Sequence, residues 1–298
     1  MSNFTLRNNE LTLEFKSLGA ELSRITDTKT KKEYLWNADP TYWKRHSPVL
    51  FPIVGSLNNQ AYSYNGKTYS MSQHGFARDM EFTLISQTDT VIWFRLSSSE
   101  DTLNLYPFQF ILEIGYQLLG KKIEVMWKVM NNDTKTMYFS IGGHPAFMCP
   151  LDGNGIQSDY SISFDNTGKL NYLAINEKGL VVHTKEPKTL DTNIIDDKSY
   201  LPIDSHLFDD DALIIENSLC HQVSLVDKEK NPYITVTFDA PLFGLWSPAK
   251  KNAPFICIEP WYGRCDSSDF TGTLEEREWG NTLDEGNEFF ASYSIEIA

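Results

Sequence analysis

Hydrophobic and polar side chains alternate with a period of two along most of the chain. Leu11-Thr12-Leu13-Glu14-Phe15, Ile123-Glu124-Val125-Met126-Trp127-Lys128-Val129 and Tyr233-Ile234-Thr235-Val236-Thr237-Phe238 each place an apolar set on one side and a mostly polar set on the other, as half-buried strands do. Asn65-Gly66, between Tyr62-Ser63-Tyr64 and Lys67-Thr68-Tyr69, predicts a tight hairpin, because both residues tolerate the positive φ of a two-residue loop. A second hairpin is expected where Gln222 to Val226 returns as Tyr233 to Phe238 around a polar, proline-bearing turn. Helical periods are scarce. The best, Ser99 to Tyr106, stops at Pro107, which lacks the amide a continuing helix needs.

Strands following one another with so little helix between them exclude a parallel sheet, whose crossovers take a dozen or more residues. The pattern therefore predicts an all-β chain built as a large antiparallel β-sandwich with few short helices. No Gly/Ser-rich linker, low-complexity tract or fixed-period repeat interrupts it, so one domain over residues 1–298 is expected. A chain of this length closes a core without disulfides or metal.

Composition then narrows the partners. With 26 basic and 40 acidic side chains the net charge is −14, which disfavours nucleic acid and anionic membranes. The N-terminal residues lack a basic stretch followed by an apolar one, and no window approaches 18 uninterrupted apolar residues. Cys149, Cys220, Cys257 and Cys265 are widely spaced with no Cys-x-x-Cys, and are read as reduced thiols of a cytoplasmic protein. Aromatic residues make up 13% of the chain, favouring both strands and flat apolar surfaces for sugars.

No histidine or cysteine spacing matches a metal site, and nucleotide-binding glycine loops and the Gly-x-Ser-x-Gly elbow are missing from the sequence. No metal and no cofactor are therefore expected. Two histidines have unusual settings: His74 in Gln73-His74-Gly75-Phe76-Ala77-Arg78-Asp79, and His144 in Gly142-Gly143-His144-Pro145-Ala146-Phe147. Glycine before His144 would let backbone approach a ligand, and Pro145 biases His144 towards extended backbone. Glu259 ends the apolar run Pro254 to Ile258 and precedes Pro260-Trp261-Tyr262-Gly263. Partial burial there would raise its pKa towards a general base's range, and Trp261 and Tyr262 would offer a stacking surface. Blander readings stand beside these: core histidines satisfied by backbone carbonyls, a solvated edge carboxylate, and core packing for Trp36, Trp43 and Trp279.

Taken in order, Ser47-Pro48-Val49-Leu50-Phe51-Pro52-Ile53-Val54-Gly55, Gln73 to Asp79, Gly142 to Phe147 and Ile258-Glu259-Pro260-Trp261 resemble the aldose 1-epimerase (galactose mutarotase-like) superfamily, most of all its LacX-type branch. The resemblance covers nearly the whole chain, from Leu18-Gly19-Ala20-Glu21-Leu22 to the last strand. It implies the supersandwich fold with a sugar site on an open face, and a cofactor-independent isomerase interconverting the α and β anomers of a free aldose such as galactose or glucose. By position it implies His144 as acid on the ring oxygen, Glu259 as base on the anomeric hydroxyl, and His74 as the group that binds and polarises the sugar. The family's sugar-binding aspartate matches Asp211, with Asp210 as the register alternative. Its arginine before the first histidine has no counterpart in Ser56-Leu57-Asn58-Asn59, and Arg78 is the substitute.

Three other readings remain open at this level. A hexose-6-phosphate mutarotase would use Lys44, Arg45 or Arg78 on the phosphate. A non-catalytic sugar-binding or regulatory protein would keep only the sandwich, and a glycosidase would pair Asp211 with Glu259. The expected partner is a small-molecule sugar, with the protein a monomer or weak homodimer.

Overall fold

A computed structural model describes residues 3–153 and 155–298. Its largest sheet has ten antiparallel strands in the order Asn193–Ile195, Lys198–Pro202, Ser161–Phe164, Gln222–Val226, Pro232–Phe238, Glu288–Ile297, Lys122–Asn131, Phe110–Leu119, Val91–Ser97 and Thr83–Gln87. A smaller sheet runs Leu213–Ile215, Leu242–Trp246, Phe255–Tyr262, Ile141–Gly143 and Val49–Leu50, with Ala146–Met148 also paired to Phe255–Tyr262. The main core joins residues of both sheets: Ile123, Val125, Trp127 and Val129 share one buried cluster with Phe243, Leu245, Ile256 and Ile258. This is the sandwich that the period-two pattern predicts.

Local expectations hold closely. Ala61–Tyr64 and Lys67–Ser70 pair around Asn65-Gly66, whose φ values are 48° and 72°. Gln222–Val226 pairs antiparallel with Pro232–Phe238, so Pro232 begins the strand rather than belonging wholly to the turn. The one α-helix among the described residues is Glu100–Leu105, capped by Ser99, whose side chain accepts from the Thr102 amide.

Phe255–Tyr262 lies in the middle of the smaller sheet, between Leu242–Trp246 and Ile141–Gly143. Alternate residues point to opposite faces, so Ile256 and Ile258 enter the main core while Phe255, Cys257 and Trp261 join two smaller clusters on the far face. Glu259 shares the parity of the second set. The strand is buried on both faces, which is why it reads in the sequence as an uninterrupted apolar run ending in a carboxylate.

Candidate active site

An interrupted ladder brings His144 and Glu259 together. Phe255–Tyr262 pairs with Ile141–Gly143 through Gly142↔Trp261, and with Ala146–Met148 through Ala146↔Cys257. The register is the same on both sides of the gap, so His144 falls opposite Glu259. Within that gap Pro145 and Pro260 have no N–H to give. Directly opposed residues hold their Cβ atoms about 4.5–5.5 Å apart, and here His144 Nε2 lies 3.3 Å from Glu259 Oε2. Glu259 is 1% exposed and His144 6%.

Three rings box the imidazole of His144. Trp43 stacks on it at 4.7 Å and 27°, while Trp246 and His74 meet it edge-on at 5.4 and 5.6 Å. His74 is held by one backbone unit: its amide donates to the Gly55 carbonyl at 2.9 Å, and the Gly55 amide donates to its Nδ1 at 3.0 Å. With Nδ1 accepting, the neutral ring carries its proton on Nε2. His74 has φ +66°, and Gly75 follows with φ +70° where an added Cβ would lie 2.2 Å from the Phe51 carbonyl oxygen. Only glycine fits there.

The electrostatics follow from burial. Desolvation pushes the His144 pKa down to about 3, with the Arg78 cation adding to the effect. It also pushes His74 well below the usual imidazole range, again aided by Arg78. Desolvation raises Glu259 well above the carboxylate range; the Asp211 charge reinforces this and the neighbouring Trp261 side chain opposes it. Burial thus favours the neutral form of both side chains, imidazole and carboxylic acid. Asp211 is itself raised by desolvation, with Trp246 acting the other way.

These side chains line a chamber of about 220 Å³ together with Arg78, Asp211, Trp246 and Trp261. Among the described residues, the buried side-chain polar atoms without a hydrogen-bond partner are Arg78 Nε, His144 Nδ1, Glu259 Oε2 and Trp261 Nε1. All four residues line this chamber. Buried polar atoms in a folded protein are almost always satisfied, so such a concentration marks a place where a polar guest completes the structure.

Six of the seven residues singled out from the sequence meet here: His74, Arg78, His144, Asp211, Glu259 and Trp261. Tyr262 does not, which corrects the expectation that it would offer a sugar surface. It follows Trp261 by one residue, so its ring turns to the other face and packs edge-on against Trp127 and Phe289. The glycines before His144 also serve a different purpose. A Cβ on Gly142 would meet Trp261 Cδ1 at 2.5 Å and one on Gly143 would meet the Tyr293 hydroxyl at 2.8 Å, so they make room for the protein's own rings. Of the other tryptophans, Trp43 belongs to the chamber wall, whereas Trp36 packs against Phe255 and Trp279 against a neighbouring apolar cluster.

Of the three cations considered for a phosphate, only Arg78 lines the chamber. Its Nη2 donates to the Gln73 carbonyl at 2.7 Å, and Arg45 is paired with Asp79 at 2.9 Å. Sequence spacing gave no hint that Cys257, two residues before Glu259, would bring its Sγ within 4.8 Å of ligand atoms on His144 and Glu259. Imidazole, thiolate and carboxylate suit a divalent cation, but burial and the Glu259 charge hold the Cys257 thiol well above its ordinary pKa, which keeps it a poor ligand. All four cysteines are buried free thiols. No helix among the described residues is long and apolar enough to cross a membrane.

The family model for aldose 1-epimerase matches residues 2–295. The chain belongs to the aldose 1-epimerase family. It is 36% identical over 281 residues to the chromosomal Protein LacX of Lactococcus lactis subsp. lactis, covering 91% of each chain. Among solved structures it resembles a galactose mutarotase related enzyme from Lactobacillus acidophilus, at 34% identity and TM-score 0.92 over 100% of this chain and 97% of that one. It also resembles a galactose mutarotase-like protein from Lactobacillus casei, at 30% identity and TM-score 0.92 over 100% of both chains. Family membership supports a general aldose epimerase or mutarotase class of activity, of the isomerase type.

Proposed function

We propose that the protein interconverts the α and β anomers of a free, neutral aldose such as glucose or galactose, by acid–base ring opening and reclosure without a cofactor. The observation that carries this reading is the 3.3 Å approach of His144 Nε2 to Glu259 Oε2 in a chamber that leaves buried polar atoms unpaired. Opening a cyclic hemiacetal moves one proton off O1 and one onto O5. Two facing groups that share a single proton suit that exchange.

In the bound complex, sugar hydroxyls hydrogen-bond to the Glu259 carboxylate and favour its anionic form, placing the shared proton on His144. Glu259 then takes the O1 proton as His144 gives its own to O5; the C1–O5 bond breaks and O1 becomes a carbonyl oxygen. Rotation about C1–C2 presents the other face of the aldehyde. The reverse transfers close the ring: Glu259 returns its proton to O1, and His144 recovers one from O5. His74, with its proton on Nε2, donates to the sugar, and Arg78 and Asp211 orient its other hydroxyls. Two proton transfers contributing about 10²–10⁴ each would together supply roughly 5.5–11 kcal/mol of barrier lowering.

The four buried thiols fit a reducing compartment such as the cytoplasm. The test is the decay of optical rotation of freshly dissolved α-D-glucose and α-D-galactose with and without protein. Faster decay than the buffer rate is expected. Decay at the buffer rate for every aldose tried would refute the reading and leave a sugar-binding role without catalysis.

A further inference from the structure

The strand segment that carries His144 has a neighbour on each side. Across one flank stands Glu259; along the other runs His46 to Leu50, at the edge of the smaller sheet. Gly142 pairs with Leu50 and Gly143 with Val49, and the same register continues beyond them. The His144 amide donates to the Pro48 carbonyl at 3.1 Å, and the Ala146 amide to the His46 carbonyl at 2.9 Å. At these two positions the edge segment returns no bond to its neighbour. Pro48 has no N–H, and the His46 amide turns the other way, to Glu21.

Glu21 gathers three donors from this segment. Its Oε1 accepts from the His46 and Ser47 amides at 2.8 and 3.1 Å, and its Oε2 lies 3.3 Å from His46 Nδ1. Both side chains are nearly buried. Burial acts to raise the Glu21 pKa, but the His46 ring and the two amides outweigh it and hold the carboxyl below the usual range, so the anion that makes the strongest hydrogen bonds is present at neutral pH. The backbone behind it is fixed in turn: the Lys16 amide donates to the Glu21 carbonyl at 2.9 Å, and the Tyr116 hydroxyl to the Ala20 carbonyl at 2.8 Å. Trp43, whose ring stacks on His144, lies three residues before His46 in the anchored segment.

Resting on the proposed anomerisation, we infer that Glu21 is a positioning residue of the reaction: by clamping His46 and Ser47 it fixes the edge segment against which His144 is held, and so sets the approach of His144 to Glu259. It lies next to Leu22–Asp27 of the three-stranded N-terminal sheet and lines neither the chamber nor the cavity beside it. Its leverage comes from geometry, because a misplacement of ~1 Å at reacting groups can cost ~10²-fold in rate.

The experiment compares kcat and KM, per folded protein, for the wild type, Glu21→Ala and Glu21→Gln on the aldose that the wild type anomerises fastest. Glutamine keeps one oxygen for both backbone amides, and its NH2 can donate to His46 Nδ1 in the accepting tautomer. Glu21→Ala is expected to lower kcat by about 10–100-fold with KM within about twofold, and glutamine to restore kcat to within about threefold of the wild type. A kcat for Glu21→Ala within about threefold of the wild type would show a role confined to folding and overturn the proposal. Equal losses in both variants would also overturn it, because accepting the two amides would then not be what matters. Should Glu21→Ala not fold, Glu21→Asp, whose arm is one methylene shorter, takes its place with the same expectations. If no aldose is anomerised, that reading fails by itself, and the positioning is decided on ¹⁵N-histidine-labelled protein. The His144 ring resonances, identified by their loss in His144→Gln, are expected to move in Glu21→Ala and to stay in place in Glu21→Gln; any other pattern overturns the clamp.

Discussion

His144 and Glu259 face each other across an interrupted ladder, Nε2 to Oε2 at 3.3 Å, with neither side chain more than 8% exposed. Their opposition is set by strand register, and the proposed proton exchange uses both. Replacing either by glutamine preserves the approximate shape and removes the exchange. Glu259→Gln and His144→Gln are each expected to lower kcat by about 10²–10⁴ on any aldose the wild type anomerises, and the double variant by little more than the worse single one, because groups that act as a unit are not additive. Polarimetry on the three proteins checks this. Additive losses would show that the two residues act separately.

The same unit sets the pH dependence. An ordinary imidazole would gain its proton near pH 6.5, but burial and Arg78 hold the His144 pKa at about 3, and Glu259 loses its proton only well above the usual carboxylate range. Between those limits the pair keeps one proton, the form that exchanges with O1 and O5. The kcat/KM profile is therefore expected to fall on the acid side towards pH 3, as a second proton arrives, rather than near pH 6.5, and to fall on the alkaline side as the last one leaves. An acid-side midpoint near pH 6.5 would contradict the His144 environment as described.

Stability carries a separate signature of His74. Its pKa is depressed in the folded protein by burial and the Arg78 charge, so from pH 6.5 down to that depressed value the unfolded chain binds a proton that the folded one does not. Folding stability then rises with pH by up to about 1.4 kcal/mol per unit, levelling off above pH 6.5. Denaturant titrations of the wild type and His74→Gln between pH 4.5 and 8 should show the variant losing that increment of slope. Equal slopes would mean that His74 titrates normally.

Trp261 lies over a floor made by two neighbouring strands. Added Cβ atoms at Gly244 and Gly142 would each come within 2.5 Å of its ring, and its indole forms part of the chamber wall. Gly244→Ala is expected to destabilise by about 1–3 kcal/mol through overpacking and to raise KM, since the displaced ring belongs to the binding wall. Thermal melts combined with sugar titrations check both effects.

Much of this molecule is legible along the chain. Period-two patterning needs only the fact that strand side chains alternate, so the antiparallel sandwich, the Asn65-Gly66 hairpin and the short helix before Pro107 could be written down from local rules. His74, His144 and Glu259 stood out because glycine, proline and a buried run surround them, and those neighbours act within a few residues. Side-chain parity also separates Trp261 from Tyr262, because consecutive strand residues cannot share a face.

Long-range pairing decided the rest. That Gly142↔Trp261 and Ala146↔Cys257 keep one register across a gap, that Gly55 fixes the ring of His74, and that Trp43 stacks on His144 join segments up to more than a hundred residues apart. Nothing in the local pattern encodes such meetings. The alternation of side chains determined which face of each strand is apolar, because that depends only on backbone geometry. The packing of distant strands decided which polar groups on the opposite face would be buried together, and burial shifts His144 and Glu259 towards their neutral forms.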